Sequence, residues 1–245
     1  MSVPTVRRLV AQTGAEVGMT LRRGESLLLT VAIPVILLVF LSEIRLVPSA
    51  VSDSVAFLAP GILALAVMGT SLVNLSIATG FERGYGVLKR LGATPLGRPS
   101  LLGAKIAAVV VVELLQAVVL VPVALALGWR PTAGGAGLAV VAVLLATAGF
   151  GGLGLFLAGV LRAEVNLAAA NGLWLLLLLV SGMVSPLAKL PKWLEETAKV
   201  FPAAGLAQAL HDAFAGSTIP GWAWAALVAW AVVAPTVAVA TFRWE

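Results

Sequence analysis

The sequence predicts an all-α membrane protein: six transmembrane helices with both termini on the inner side, an amphipathic interfacial helix at the N-terminus, and short outer-face helices between spans five and six. Three observations carry this. Hydrophobic residues make up 60% of the 245 residues and charged residues 11%, against about 25% charged in a soluble domain. Apolar runs of about 18 residues or more recur, each long enough for a hydrocarbon core of about 30 Å. If the N-terminus is inside, 11 of the 16 Lys and Arg fall in inner segments, which is the bias of cytoplasmic loops. The same topological rule accounts for the net charge of +5, so no nucleic-acid partner is expected. With no Cys, disulfides and thiolate metal sites are excluded, and a single His, His211, argues against His-based metal or nucleophile systems. No cleavable signal peptide is expected, because no short apolar run and small-residue site follow the N-terminal charges at once.

The whole chain, 1–245, reads as one membrane domain. Residues 4–22 have helical spacing of Val6, Leu9, Val10, Thr13, Val17 and Leu21, with Pro4 at a favoured first position. Such a helix can lie among lipid headgroups, with Arg7 and Arg8 near anionic lipid. The first span is expected at about 26–41, with Pro34 as a kink. A polar loop with Glu43, Arg45, Pro48 and Asp53 follows. The second span, about 55–79, carries no charge and has Asn74 near its far end. The third, about 101–127, contains Glu113 and Gln116, and Trp129 then suits an interface. The fourth, about 136–161, contains GFGGLG at 149–154. Small residues there let helices approach closely. A nucleotide site is not expected, since no strand precedes these glycines and no Gly-Lys-Ser/Thr follows. A short loop, Arg162–Asn166, leads to the fifth span at about 167–184. In 185–220, LPKWLEETAKVFP and AAGLAQALHDAFAG are periodic but too short to span, so two interfacial helices are expected. The last span is about 222–242. No internal repeat is visible, against transporters built from inverted repeats.

The polar interruption at 81–105 holds Glu82, Arg83, Lys89, Arg90, Arg98 and Lys105. Its first part reads as a short helix over Glu82–Gly92, with Glu82 matching the helix N-terminus and Lys89 and Arg90 the C-terminus. Tyr85, Leu88 and Leu91 would share an apolar side, and Pro95 would end the helix. A helix of this kind can dock into a partner's groove. It can equally be an inner loop with no partner. Glu113 is the one acid deep in an expected span, and such groups usually face a cavity, a bundle interior or a partner. It fits a contact to a cationic substrate, a gating hydrogen bond with Gln116, or a neutral or paired group joining helices. Asn74, Asn166 and Asn171 fit hydrogen bonds between helices or at the interface.

Glu82-Arg-Gly-Tyr-Gly-Val-Leu-Lys-Arg-Leu-Gly-Ala-Thr-Pro-Leu96 closely resembles the loop between spans two and three of ABC transporter permeases of type 2. The stretch Ser181-Gly-Met-Val-Ser-Pro-Leu, with Leu190-Pro-Lys-Trp-Leu and Phe201-Pro after it, is similar to that family's outer segment after the fifth span. Six spans, the N-terminal helix and Pro34 agree, so the resemblance covers nearly the whole chain.

The resemblance implies a permease subunit of an ATP-driven exporter in a bacterial or archaeal inner membrane. It would pair with a second permease copy, as a homodimer or with a related subunit, the first span of one facing the fifth of the other. It would carry an amphipathic or hydrophobic cargo such as a drug, an antibiotic or a lipid-like compound, and the chain's small size suggests the drug-resistance branch. Residues 81–100 would be the coupling loop, with Glu82, Arg83, Tyr85, Leu88, Lys89 and Leu91 docking on an ABC ATPase subunit. Gly86 departs from the better helix former common in the family and would loosen that helix. Glu113, Gln116 and Asn74 would line or gate the path. No catalytic residue, metal or cofactor is expected in this chain; ATP and Mg would bind the partner ATPase. The alternative is an ion-coupled secondary carrier, for which Glu113 alone is thin support. An intramembrane enzyme lacks its ingredients, including a Gly-x-Ser-x-Gly elbow.

Overall fold

The computed structural model describes residues 5–22, 24–44, 54–92 and 97–242. The Arg45–Pro48 loop, the stop at Pro95, Pro4, Arg23 and Arg243 lie outside them. Among the described residues all regular structure is helical, with no strand. Five helical stretches are long and apolar enough to cross a membrane: Val55–Gly84, Arg98–Ala126, Ala133–Val160, Ala163–Val180 and Gly221–Thr241. The expected first span lies in a sixth helix whose apolar part, Leu28–Ile44, is shorter.

The N-terminal helix α1 (Thr5–Arg22) packs on the start of α6 (Arg98–Ala126). Helix α2 (Gly24–Ile44) keeps Pro34 inside it and leans on α3 (Ser54–Met68). The second expected span is not one regular helix. After α3 the chain makes a π turn, Gly69–Asn74, before continuing as α4 (Leu75–Gly84). A π turn widens the hydrogen-bond ring by one residue, and such turns cluster at functional sites. It re-aims Thr70 and Asn74 relative to a straight helix.

Two expected boundaries move. The second span runs five residues past 79, because nothing between Phe81 and Gly84 breaks a helix. The break comes at Gly86, with φ 70°, a conformation glycine adopts without strain. The fifth span, α8 (Ala163–Val180), starts earlier than 167. The expected loop around Glu164 is its first turn, where an acid suits the helix dipole.

Helix α7 (Ala136–Val160) is the hub, packed by α4, the π turn, α10 (Pro202–Ala215) and α11 (Gly221–Thr241). Its glycines explain this. A Cβ on Gly152 would sit 2.4 Å from the Pro235 nitrogen, and one on Gly154 would sit 2.7 Å from the Leu72 carbonyl oxygen. Close backbone approach is thus realised on two faces, as the GFGGLG run implies.

Both short helices after α8 exist, as α9 (Lys192–Ala198) and α10. The second is packed inside the bundle rather than on its surface. Ala203, Ala204, Leu206, Ala207, Ala209, Leu210 and Ala213 are all buried, and α10 is wedged between α3, α7 and α11. Its many small residues, Ala203, Ala204, Gly205, Ala207, Ala209 and Ala213, let it fit there. Helix α9 stays peripheral, with Trp193 exposed.

Candidate functional site

The expected coupling helix is shorter and differently faced than its sequence suggests. Glu82 and Arg83 belong to the last turn of α4. A turn closed by the Tyr85 N–H on Phe81 O (2.9 Å) and the Gly86 N–H on Arg83 O (2.9 Å) follows. The separate helix α5 runs only from Val87 to Gly92. Glu82 therefore does not cap α5.

Nor do Tyr85 and Leu88 share a face. Leu88 is fully buried against Leu101, Leu102 and Phe242, whereas Tyr85 is 73% exposed. The positive φ at Gly86 rotates α5 relative to α4 and turns Leu88 inward. Leu88 fastens α5 to the bundle, and the outward surface is Tyr85, Val87, Lys89 and Arg90. Leu91 is part of α5, and its side chain is outside the described set.

Arg83 also turns inward. Its guanidinium donates to the carbonyl oxygens of Gly159 and Leu161. These lie at the C-terminal end of α7, where carbonyls lack helical partners and the dipole favours a cation.

Behind the turn is a buried ionic clasp. Lys105 Nζ donates to Glu16 Oε2 (2.9 Å) and to Glu82 Oε2 (2.6 Å), and its side chain is 2% exposed. The Gln12 amide holds the other Glu16 oxygen, Oε1, at 2.9 Å. One ammonium thus joins α1, the end of α4 and α6. In the sequence Lys105 counts among the cations of the polar interruption, and nothing marks Glu16 as its partner. The available signal was a Lys followed directly by an apolar run, IAAVVVV, which places it inside the span.

Deeper in the bundle a polar seam surrounds Thr30. The Asn74 amide donates to Thr30 Oγ1 (3.0 Å), the Gln116 amide donates to the Thr30 carbonyl (2.9 Å), and the Thr70 hydroxyl donates to Gln116 Oε1 (3.1 Å). Asn74 and Gln116 therefore meet on α2, through a threonine the sequence did not single out. Two cavities adjoin this seam. One, of about 410 Å³, runs down to Glu16, Glu82, Tyr85 and Lys105; the other, of about 370 Å³, faces Pro34, Asn171 and Trp174. Thr30, Thr70 and Asn74 line both.

Glu113 makes no bond to Gln116. The Thr147 hydroxyl of α7 lies 2.6 Å from Glu113 Oε2, and Oε1 is buried without a hydrogen-bond partner. Three residues on a helix differ by about 60° in direction, and here that separates Glu113, facing α7, from Gln116, facing the π turn. Asn166 is a helix joiner: it accepts from the Ser76 hydroxyl (2.7 Å) and donates to the Ser76 carbonyl (2.8 Å). Asn171 bonds only within its own helix, to Leu167 O.

His211 on α10 stacks on Phe57, and its ring nitrogens face the carbonyl oxygens of Ala207 (2.6 Å) and Phe57 (2.9 Å). Burial pulls its pKa below the ordinary value, against the opposing effect of those carbonyls and of Asp212. Among the described residues, no group of His, Asp and Glu is placed to hold a metal ion.

A family model described as ABC-2 type transporter matches residues 13–215. The match takes in the second half of α1, the ionic clasp, the polar seam and α10. A comparison with curated proteins finds no match.

Proposed function

The chain belongs to the ABC-2 type transporter family, a family of multi-pass membrane subunits, and on that premise we propose that it is the permease half of an ATP-driven exporter. Two permease copies and two ABC ATPase subunits make the working unit. ATP and Mg are bound by the ATPase, and the cargo is an amphipathic or hydrophobic molecule. In this reading all six apolar helices, α2 included, cross a bacterial or archaeal inner membrane, with α1 and α5 at the cytoplasmic face. The apolar side chains exposed on α2 and α8, among them Leu29, Ile33, Leu175 and Leu179, face the second copy or lipid.

The observation that supports this best is the clasp at Lys105. A docking surface transmits motion only if it is rigidly joined to what must move. Tyr85 and Val87 are exposed at the turn, and within the same structural unit Lys105 ties α4 to α1 and α6. Closure of the ATPase pair pushes α5, Leu88 and Glu82 carry the push into the bundle, and the π turn lets the second span yield beside the Thr30 seam. The driving free energy is the ATPase's differential affinity for ATP in the two states.

The test is co-purification with the cognate ATPase subunit. Tyr85→Glu with Val87→Glu leaves the permease folded, because both side chains point outward, and abolishes the complex. An undiminished complex from the double variant refutes the docking assignment. Cargo flux that persists in ATP-depleted vesicles favours the secondary carrier.

A further inference from the structure

We propose that the groove between α6 and α7, with Glu113 in its wall, is a binding site for elongate lipophilic amines. The cavity has a volume of about 400 Å³. Its lining is apolar along nearly all its length, including Leu120, Val140 and Val143, and Trp129 and Phe214 form its far end. Those two rings pack edge to face, with centroids 4.9 Å apart. Glu113 and Leu120 are seven residues apart on α6, about 10 Å along the axis, so the groove is long relative to its volume.

Glu113 is the feature that an apolar groove alone does not explain. Its residue is 6% exposed and its Oε1 has no partner. Its single hydrogen-bond neighbour is also shared. The Thr147 hydroxyl has one proton and two oxygens within reach, Glu113 Oε2 at 2.6 Å and Val143 O at 2.8 Å. An acid inside a membrane is costly unless it meets a partner. A lipid chain or detergent tail would fill the groove and leave Oε1 unmet. An ammonium N–H donated to Oε1, with the apolar body lying toward Trp129 and Phe214, satisfies both features. Gln116 lines this groove as well as the second cavity beside the Thr30 seam, but its amide is already spent on Thr30 and Thr70, which leaves Glu113 to meet an ammonium. As a cargo class, lipophilic amines rest on the permease reading; as a binding site, the groove stands without it.

The experiment uses the full chain in phosphatidylcholine nanodiscs, with no ATPase subunit and no ATP. Its failure is therefore distinct from a failure of the permease reading, which is read in ATPase co-purification. The probe is N-(5-aminopentyl)dansylamide, titrated by dansyl fluorescence against empty nanodiscs, beside its uncharged analogue N-(5-hydroxypentyl)dansylamide. The wild-type chain binds the amine saturably and more tightly than the alcohol. Glu113→Gln, which keeps shape and a hydrogen bond to Thr147, weakens the amine by about tenfold or more, the loss of a charge-assisted bond, and leaves the alcohol within about twofold. Val140→Trp, at an exposed position in the groove wall, weakens both. Equal wild-type affinity for amine and alcohol overturns the proposal, and so does undiminished amine binding in Glu113→Gln or in Val140→Trp. The wild-type comparison and Val140→Trp keep the test decisive even where Glu113→Gln does not fold.

Discussion

Between α7 and α11 the two backbones touch. A Cβ on Gly149 would come within 3.2 Å of Trp230 Cβ, and one on Gly152 would overlap the Ala234–Pro235 peptide. At the junction of α1, α4 and α6, contact passes instead through the ends of long side chains, with Lys105 between Glu16 and Glu82 and a cavity of about 410 Å³ alongside. The first seam has no slack, since a backbone cannot change rotamer. The second has room beside it, so its three helices can shift together while Lys105 keeps them joined. In the permease proposed above, α7, α10 and α11 act as the frame, and the α1–α4–α6 junction with α5 is the moving part that takes a partner's stroke.

The largest effect should come from overfilling the dry seam. Gly152→Val costs at or above about 3 kcal/mol, because the added carbons meet backbone rather than a flexible side chain. Thermal denaturation of the purified chain checks it. Gly172→Ala, inside α8 and where a Cβ meets nothing within 4 Å, should not lower the midpoint, since alanine is the better helix former. Equal effects at the two positions would erase the contrast.

Next is the clasp. Lys105→Met removes the cation that Glu16 and Glu82 share and costs about 3–5 kcal/mol, as breaking a buried pair does. Adding Glu16→Gln and Glu82→Gln removes the two uncompensated charges and restores most of the melting temperature. A triple variant no more stable than Lys105→Met would mean that the lysine's packing, and not its charge, holds the junction.

The smallest effect concerns pH. On the frame side, His211 has its pKa lowered from 6.5, chiefly by burial, so the folded state favours the neutral ring. Its contribution is complete above about 6.5 and is lost as pH falls from there toward the lowered value. Melting temperatures measured from pH 7.5 to 5.5 should fall, and His211→Gln should flatten the upper part of that fall. A wild-type midpoint that rises on acidification contradicts the assigned direction.

The contrast between frame and moving part also explains what was legible in the sequence. Long apolar runs and the Gly149–Gly154 cluster are local signals, so helices and close packing could be read directly. The far end of Val55–Gly84 and the near end of Ala163–Val180 differ from expectation because the charges of Glu82 and Arg83 suggest a separate helix and that of Glu164 a loop, although a spanning helix accepts such residues in its terminal turns. The burial of α10 was hidden for another reason. An Ala-rich segment of modest hydropathy looks interfacial, and only the α3–α7–α11 surroundings bury it. The site was legible as a list of residues but not as pairings. Leu88 looked like part of a docking face, and the turn at Gly86 sends it inward. Arg83 looked free to meet a partner, and the end of α7 takes it. Glu113 and Gln116 looked like a pair, and each faces a different helix. In each case the deciding information is the direction of a neighbouring element, which spacing along one helix does not contain.

The central claim is that a push on the α4–α5 turn reaches α1 and α6 through Lys105. The direct measurement is ATP turnover of the permease–ATPase complex carrying the stability-restored triple variant Glu16→Gln, Glu82→Gln, Lys105→Met, compared with wild type at equal complex yield. The account predicts that the triple variant binds the ATPase as wild type does, since Tyr85 and Val87 are untouched, and that turnover returns to the rate of the ATPase alone. Turnover equal to that of the wild-type complex would contradict it.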